Sequence, residues 1–590
     1  MSLNTELAAL FATMADIMDI KGENTFKVLA FRKVGRILAD LSFDVRECIK
    51  NNTLCEIEGI GPSSQRIIEE YVATGRSSDF ETLSQSVPAT LLPLLQVEGL
   101  GPKTISLLWK ERKITNADQL KAALEDGSLK GIKTIGDKKL AAIKQGLENR
   151  AKSAGRIGIG HALPVAEMFV DLIRKLPGVA HAQYAGSLRR GRETIGDVDI
   201  ICSVKDPSLC QKIADAFVAF PAVARVIGAG PSKSSIVTAS GLQVDLRILP
   251  EENFGAALLY FTGSKDHNVK IRGLALKKKM TLNEWGLYNL AEYEKTEKKI
   301  AEAPPLKPIA SRTEEEIYAK LGLDFIPPEL REDRGEMDAA LNHKLPKLIT
   351  QKDLRGDLHS HTTASDGKNS ILEMAEAAKA LGYEYLAITD HSKSSVIANG
   401  LTPDRLLKHI AEIRKAQEKI KGITLLAGSE VDILVDGRLD YEEAILKELD
   451  IVIASPHASL KQDTAKATDR IKRAIETRYV NIIGHPTGRL IGGREGLPLE
   501  FPSLFKLAAS TSTAMEINAG YPRLDLDEFN SRSACEAGVM ISIDTDAHST
   551  AELCEIQFGL TVARRAALTA KHILNCQPLK DLRTFLGRKR

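Results

Sequence analysis

Two sets of residues in this 590-residue chain have the types and spacing for chemistry. The first is Gly196-Asp197-Val198-Asp199-Ile200. Alternate residues of a strand face the same way, so Asp197 and Asp199 project together while Val198 and Ile200 turn to the core. Asp245, in Leu242-Gln243-Val244-Asp245-Leu246, repeats the alternation and supplies a third carboxylate from a neighbouring strand. Such a trio suits two magnesium ions about 3.5–4 Å apart, which activate an attacking hydroxyl and stabilise a departing pyrophosphate. The preceding Gly186-Ser187-Leu188-Arg189-Arg190-Gly191 offers a turn and Arg190 to hold a triphosphate. A lone D-x-D on a strand is often surface decoration; joined to this stretch and to Asp245, it reads as a nucleotidyl-transfer centre.

The second set lies beyond residue 354. There apolar runs (LRGDLHSH, EYLAITDH, ITLLAGSE, DIVIASPH, VNIIGHP, TAMEIN, VMISIDTDAH) alternate with helical stretches, each run ending in a polar, ligand-type residue. His359, His391, Glu430, His457, His485, Glu516 and Asp546 recur at intervals of 27 to 39 residues. Strand-helix units of about this length build a barrel of parallel strands, whose C-terminal ends carry the chemistry. Six histidines (His359, His361, His391, His457, His485, His548) fall at strand ends, and His409 and His572 do not. With Asp366, Glu430 and Asp546 they make nine imidazole and carboxylate donors, suited to zinc, manganese or iron and more than one ion needs. A cluster of two or three ions is expected, where activated water would attack phosphorus. The competing reading is a structural or vestigial metal site.

Three similar turns mark the first 150 residues: IEGIGPSSQRII (57–68), VEGLGPKTISLL (97–108) and IKTIGDKKLAAI (132–143). Gly59 and Gly61, then Gly99 and Gly101, flank one apolar residue; such a turn bares backbone amides at a helix start, where a DNA phosphate can bind. The third copy keeps Gly136, has Thr134 for its first glycine, and is flanked by Lys130, Lys133, Lys138, Lys139, Lys144 and Arg150. An ordinary helical hairpin explains one such copy better than three.

Composition frames these motifs. Lys and Arg number 80 against 78 Asp and Glu, a net charge of +2, so any nucleic-acid contact rests on local patches and backbone amides. Acidic metal sites offset basic stretches such as Lys277-Lys278-Lys279. Seven scattered cysteines without a C-x-x-C pair argue against disulfides and thiolate zinc, and fit a reducing cytosol. The first twenty residues carry Asp16 and Asp19 and read as a helix, not a signal peptide. No apolar run is long enough to span a membrane. Residues 300 to 350 are rich in Pro and charge, with few apolar residues at helical spacing, and the main boundary is expected there.

Residues 1 to about 335 resemble the family X DNA polymerases, the DNA polymerase beta-like group. The shared pieces are the hairpin turns, GSLRRGRETIGDVDI, Asp245 and LLYFTGSKDHNVKIR at 258–272. The resemblance implies that Gly186, Ser187, Arg190 and Gly196 serve the nucleotide. It also implies that Tyr260 and Phe261 contact the sugar, Tyr260 excluding a ribose, that Gly263 lines the base, and that Asn268 and Arg272 reach the minor-groove side of the nascent pair. Gly59, Gly61, Gly99, Gly101, Lys133, Gly136 and Lys138 would contact DNA. Without the resemblance, Tyr260 and Phe261 read as core. Two positions depart from the eukaryotic relatives. Ile67 stands where they use a lysine to form an imine with 5'-deoxyribose phosphate, so no lyase activity by that route is expected. Lys265 stands in place of an acidic residue and is expected to pack on the incoming nucleotide.

From 354 to about 575 the arrangement D-L-H-S-H, T-D-H, G-S-E, S-P-H, G-H-P and T-D-A-H resembles the polymerase and histidinol phosphatase (PHP) domain with all nine ligand positions filled. This implies a manganese-stimulated 3'-to-5' exonuclease and leaves abasic-site cleavage open.

The expected fold is multidomain. A helical helix-hairpin-helix region comes first (1–82 with the first hairpin, 83–152 with the second and third). An α+β nucleotidyltransferase palm (153–254), a nucleotide-selecting subdomain (255–332), a linker (333–352) and a distorted (β/α)7 PHP barrel (353–590) follow. The expected function is short-gap filling in DNA repair. The expected cofactors are Mg2+ or Mn2+ in the palm and two or three Mn2+, Zn2+ or Fe ions in the barrel. Gapped or primed duplex DNA and deoxynucleoside triphosphates are the expected partners, and the chain is expected to be a cytoplasmic monomer with no membrane partner. The alternatives are a barrel acting as a small-molecule phosphatase or structural metal site, and a noncatalytic DNA-binding scaffold.

Overall fold

The computed structural model of the chain describes residues 3–40, 45–51, 53–57, 59–97, 100–129, 136, 139–140, 143–144, 147, 156–296 and 304–589. The chain forms two compact units, Met1–Ala154 with Gly492–Arg494, and Gly155–Ile491 with Glu495–Arg590.

The first unit is helical. Leu3–Lys21 and Thr25–Asp40 pack around Leu7, Phe11, Met14, Ile17 and Phe31, with the Phe11 and Phe31 rings 5.5 Å apart. Gly61 and Gly101 are the N-caps of Pro62–Thr74 and Pro102–Arg112, each with proline at the first helical position, where its missing N–H costs nothing. Ile60 and Leu100, the apolar residues of the two turns, are buried. Gly59 holds φ +104°, which favours glycine. Ile67 is buried in the helical core. Gly99, Lys133 and Lys138 lie outside the described residues, as does most of the third turn. Lys139 donates to Thr104 Oγ1 at 2.7 Å.

In the second unit, five strands in the order Val179–Tyr184, Asp197–Val204, Gln243–Pro250, Lys233–Thr238, Val223–Ala229 form a sheet backed by helix Ile159–Arg174. Along Asp197–Val204, Val198 and Ile200 are buried and Asp197 is exposed, the period-2 pattern of a half-covered strand. Helices Phe254–Thr262 and Lys265–Lys277 follow, then hairpin Met280–Asn283/Gly286–Asn289 and helix Glu314–Lys320, around a core of Leu259, Ile271, Leu287, Ile317 and Tyr318. The second helix starts because the Ser264 side chain accepts from His267 N. His267, fully buried, is held between Glu336 (2.8 Å) and the Tyr318 hydroxyl (2.9 Å).

Seven parallel strands, Gly356–Asp357 through Ile541–Asp544, pair in sequence order. The first and last nearly close the ring through Ser360–Ala547, with His361 N donating to Ala547 O at 2.8 Å. Strands such as Tyr385–Ile388, Ile451–Ser455 and Ala514–Asn518 are buried throughout, as parallel strands covered on both faces must be.

The division into units falls after residue 154, not within 300–350, because the sheet domain and the barrel share one apolar core, from Ile159 and Phe169 to Ile543 and Ile573. Residues 333–352 also depart from the expected lack of core elements. Helix Glu336–Leu341 lies there, and Met337, Ala340, Leu348 and Ile349 are buried. Their apolar side chains are spaced irregularly and pack on two different neighbours, which helical periodicity does not register. Gly158 and Gly160 admit the Tyr521 ring so closely that an added Cβ would lie 1.8 and 2.4 Å from its atoms. No described helix is long and apolar enough to cross a membrane.

Candidate polymerase and metal-dependent phosphoesterase sites

The structure brings two of the three predicted carboxylates, Asp199 and Asp245, side by side, with Asp197 two residues along the same strand. Strands Asp197–Val204 and Gln243–Pro250 run parallel with Asp199 opposite Asp245 and Asp197 opposite Gln243. Burial, then the charges of Asp197 and Asp245, push the Asp199 carboxyl up to about 6. A cation bound between the paired Asp199 and Asp245 would relieve that repulsion. Asp245 accepts from Lys233 Nζ at 2.7 Å and from Gln243 at 2.9 Å. Gly186 approaches so near that an added Cβ would sit 2.8 Å from Asp199 Oδ2. This places the turn that begins at Gly186 against Asp199.

Arg190, expected to hold a triphosphate, is already engaged within the protein. Its Nη1 donates to Thr262 O at 2.5 Å, and its Nε to Glu332 at 3.1 Å. Its neighbour Arg189 forks onto Glu314 (2.9 and 2.7 Å), a carboxylate shared with buried Arg331 (2.6 Å). Tyr260 and Phe261 are half-buried, rings edge-on at 5.1 Å, with the Arg247 guanidinium 4.1 Å over Phe261. Asn268 Nδ2 donates to Tyr260 O at 2.7 Å, and Arg272 Nε to Asn268 O at 3.1 Å, so these three predicted residues form one chain of contacts. Gly263, at φ +69°, ends the first helix and Gly196 precedes the carboxylate strand. Lys265 is exposed at the first position of its helix, where the helix dipole disfavours a cation.

In the barrel, potential ligand atoms gather within 4.8 Å of one another in three overlapping groups: His361, Asp366, His391 and His548; His359, His361, Glu430 and Asp546; His391, Glu430 and His457. His485, the ninth predicted donor, places Nε2 2.8 Å from Glu430 Oε1. Glu430 sits at the centre, 3.2 Å from His457, 3.5 Å from His359 and 3.7 Å from His361. Its Oε2 is 2.8 Å from His391 Nδ1 without the alignment of a hydrogen bond. His359 Nε2, His361 Nδ1, His391 Nδ1, His485 Nδ1 and Glu430 Oε2 are buried and make no hydrogen bond. Unpaired buried donors of this kind cost free energy unless an ion takes them, so imidazole and carboxylate here fit a metal cluster.

Proton affinities split across the site. Burial, then His548 and His391, lower His361 to about 4, and burial, then Arg523, lowers His485 to about 3. For His457 the burial penalty is outweighed by Glu430 and Asp432, which raise it to about 10. Two donors hold left-handed backbone, His485 at φ +24° and Asp546 at +55°, conformations that cluster at functional sites.

Several supporting residues escape the motif reading. Glu516, identified only as a strand-end anchor, receives His359 Nδ1 at 2.7 Å and His485 N at 2.5 Å. Asp432 accepts from His457 Nδ1. Asp390 collects Thr362, Ser365 and His409 Nε2 (2.8 Å), fixing the loop that carries His361 and Asp366. His409, a helix residue set aside on position alone, therefore orients the site from behind. The T-D-H run contains the signal for Asp390; nothing in the sequence points to His409.

Comparisons with known proteins agree with this architecture. The DNA polymerase beta thumb model matches residues 257–332, the helix-hairpin-helix domain model 2–77 and the PHP domain model 357–496. The chain is 38% identical over 585 residues to the DNA polymerase/3'-5' exonuclease PolX of Bacillus subtilis (strain 168), covering 99% of each. A probable phosphatase of Thermoanaerobacter sp. (strain X514) is 32% identical over 230 residues, 37% of this chain and 89% of that protein. Another from Shewanella sediminis is 28% identical over 245 residues, 40% of this chain and 94% of its own. Full-length similarity, carboxylates paired across two strands and a barrel filled with ligand-type residues place the chain among the family X DNA polymerases that carry a C-terminal PHP domain.

Proposed function

We propose that the chain fills short gaps in damaged DNA and removes nucleotides from 3' ends in its barrel. The observation that carries the first half is the register that sets Asp199 beside Asp245, with Asp197 on the same strand and Gly186 against Asp199. Asp197, Asp199 and Asp245 would hold Mg2+ or Mn2+, which supply Lewis-acid stabilisation of charge at the reacting phosphorus. The chain's residues do the positioning. Ser187 and Arg190 hold the triphosphate so that a primer 3'-oxygen bonds to the α-phosphorus as pyrophosphate leaves. Tyr260, braced by Asn268, crowds the sugar and disfavours a 2'-hydroxyl, while Phe261 and Gly263 shape the rest of that face. Asn268 and Arg272 face the nascent pair, and Lys265 packs on the nucleotide. Gly59, Gly61, Gly99, Gly101, Lys133, Gly136 and Lys138 would grip duplex backbone through amides and charge.

In the barrel, His359, His361, Asp366, His391, Glu430, His457, His485, Asp546 and His548 would hold two or three Mn2+, Zn2+ or Fe ions, whose chemistry when bound is water activation for phosphoester hydrolysis. Glu516, Asp432 and Asp390 orient those imidazoles and their loop. The relatives named as phosphatases match the barrel alone, whereas PolX covers the hairpins as well, which favours a nucleic-acid substrate. A cytoplasmic, monomeric enzyme is the corresponding cellular reading.

The test uses a 3'-labelled gapped duplex with manganese and deoxynucleotides. Asp197→Ala/Asp199→Ala should degrade but not extend the strand, and His359→Ala should extend but not degrade it. Loss of both activities in either variant would show that the sites are not separate. Hydrolysis of a small phosphomonoester without strand degradation would favour the phosphatase alternative.

A further inference from the structure

We propose that Arg565, on the barrel helix Ile556–Arg565, is a positioning residue of the nucleotidyl-transfer centre: it anchors Arg190 and tunes how strongly Glu332 holds it, and so sets affinity for the incoming nucleotide. The inference rests on the reading of Arg190 as a triphosphate ligand.

The Arg565 side chain is wholly buried and serves three acceptors at once. Nε and Nη2 fork onto Glu528, each at 2.7 Å. Nη1 donates to the main-chain carbonyl of Arg190 at 2.5 Å and to Glu332 Oε1 at 3.0 Å. That same Glu332 oxygen accepts from Arg190 Nε at 3.1 Å, while Arg190 Nη1 reaches Thr262 O at 2.5 Å, one residue before Gly263. A continuous line of contacts thus runs from the barrel through the Gly186–Gly191 loop to the nucleotide-selecting turn. The backbone beside it is tight: a Cβ on Gly191 would lie 2.2 Å from Thr561 of the same barrel helix.

A residue that merely glued barrel to polymerase would need only the Glu528 and Glu332 contacts. Arg565 spends a further hydrogen bond on the backbone of the residue whose side chain the triphosphate requires. It also takes part of the charge of Glu332, which Arg190 shares with it and, at 3.9 Å, with Arg192, leaving Arg190 with a share that a polyphosphate can outcompete. Removing Arg565 has two effects of one sign, since Arg190 loses its main-chain anchor and Glu332, left with Arg190 and the more distant Arg192, holds Arg190 more tightly. Both weaken nucleotide binding. Lysine in its place can reach some of the three acceptors but lacks the planar fork to serve them together.

The experiment measures KM and kcat for deoxynucleotide addition by the full chain, with strand degradation on the same preparations as a control. Arg565→Gln should raise KM on the order of tenfold, the worth of about one charge-assisted hydrogen bond, with kcat changing less than about threefold. Arg565→Lys should fall between wild type and Gln, and exonuclease activity should stay within about twofold. A purely structural role would lower the active fraction, reducing kcat and exonuclease together while leaving KM unchanged, and would overturn the proposal. Arg190→Ala separates the two levels. If it raises KM and Arg565→Gln does not, the positioning role fails. If Arg190→Ala leaves KM unchanged, the triphosphate reading itself fails and the inference with it. Should Arg565→Gln not fold, Arg565→Leu/Glu528→Gln removes both buried charges, and an unchanged KM there overturns the proposal equally.

Discussion

The polymerase centre and the barrel centre both gather acidic side chains for metal chemistry, but they are built in opposite ways. The palm site takes three carboxylates from two adjacent strands, with Asp197 exposed, Asp199 half-buried and Asp245 tied to Lys233. Its functional face is shared with another subdomain, whose Thr262 and Glu332 already engage Arg190. The barrel site gathers the nine proposed donors from six of its seven strand ends, most of them buried, and backs them with Glu516, Asp432 and Asp390. The contrast is between a site that substrate completes and a site assembled before substrate arrives. An open carboxylate set is expected to gain ions together with nucleotide, and a closed set of imidazoles with orphaned nitrogens to hold ions as part of the fold.

The largest effect expected from that contrast is in metal content. After desalting without added metal, wild type should retain bound transition metal detectable by mass spectrometry, and Asp197→Ala/Asp199→Ala should retain the same amount. His359→Ala or Glu430→Ala should lose most of it. Retention by the palm and loss from the barrel would invert the comparison.

A smaller effect is expected behind the barrel site. His409→Ala leaves every proposed ligand in place but removes the imidazole that holds Asp390, and with it the loop bearing His361 and Asp366. Exonuclease activity or metal affinity should drop about 10- to 100-fold, the usual cost of losing an orienting partner, while nucleotide addition is unchanged. An unaltered exonuclease would mean that the loop is fixed without His409.

The smallest effect concerns the junction on which the palm site leans. Glu314 is nearly buried between Arg189 and Arg331, which outweigh its burial penalty and hold its carboxyl down at about 2. Because this lies below the unfolded value of 4.5, the stabilisation is fully present above pH 4.5 and is lost as pH falls toward 2. Glu314→Gln should therefore loosen helix Glu314–Lys320 near neutral pH by at most on the order of 3 kcal/mol, with the difference from wild type shrinking below pH 4.5. Amide hydrogen exchange of that helix reads this directly. Equal protection in both proteins at pH 7 would show that the junction does not depend on the charge.

The sequence alone singled out the candidate donors and the elements that carry them. A period of two placed Asp197, Asp199 and Asp245, and apolar runs ending in His, Asp or Glu placed the barrel ligands, because strand alternation and the C-terminal ends of parallel strands are local properties of a chain. The glycine turns at Gly59–Gly61 and Gly101 were legible for the same reason: glycines flanking one apolar residue are a local pattern, and helices start at both. Only the tertiary structure decided which partners set those donors. His359 meets Glu516 across 157 residues, and Arg565 meets the Arg190 carbonyl across 375. Tertiary packing also merged the palm and barrel cores, which the Pro-rich stretch at 300–350 gave no sign of. Such contacts depend on how independently legible elements pack together, and side chains that are buried only by packing carry no periodic mark in the sequence.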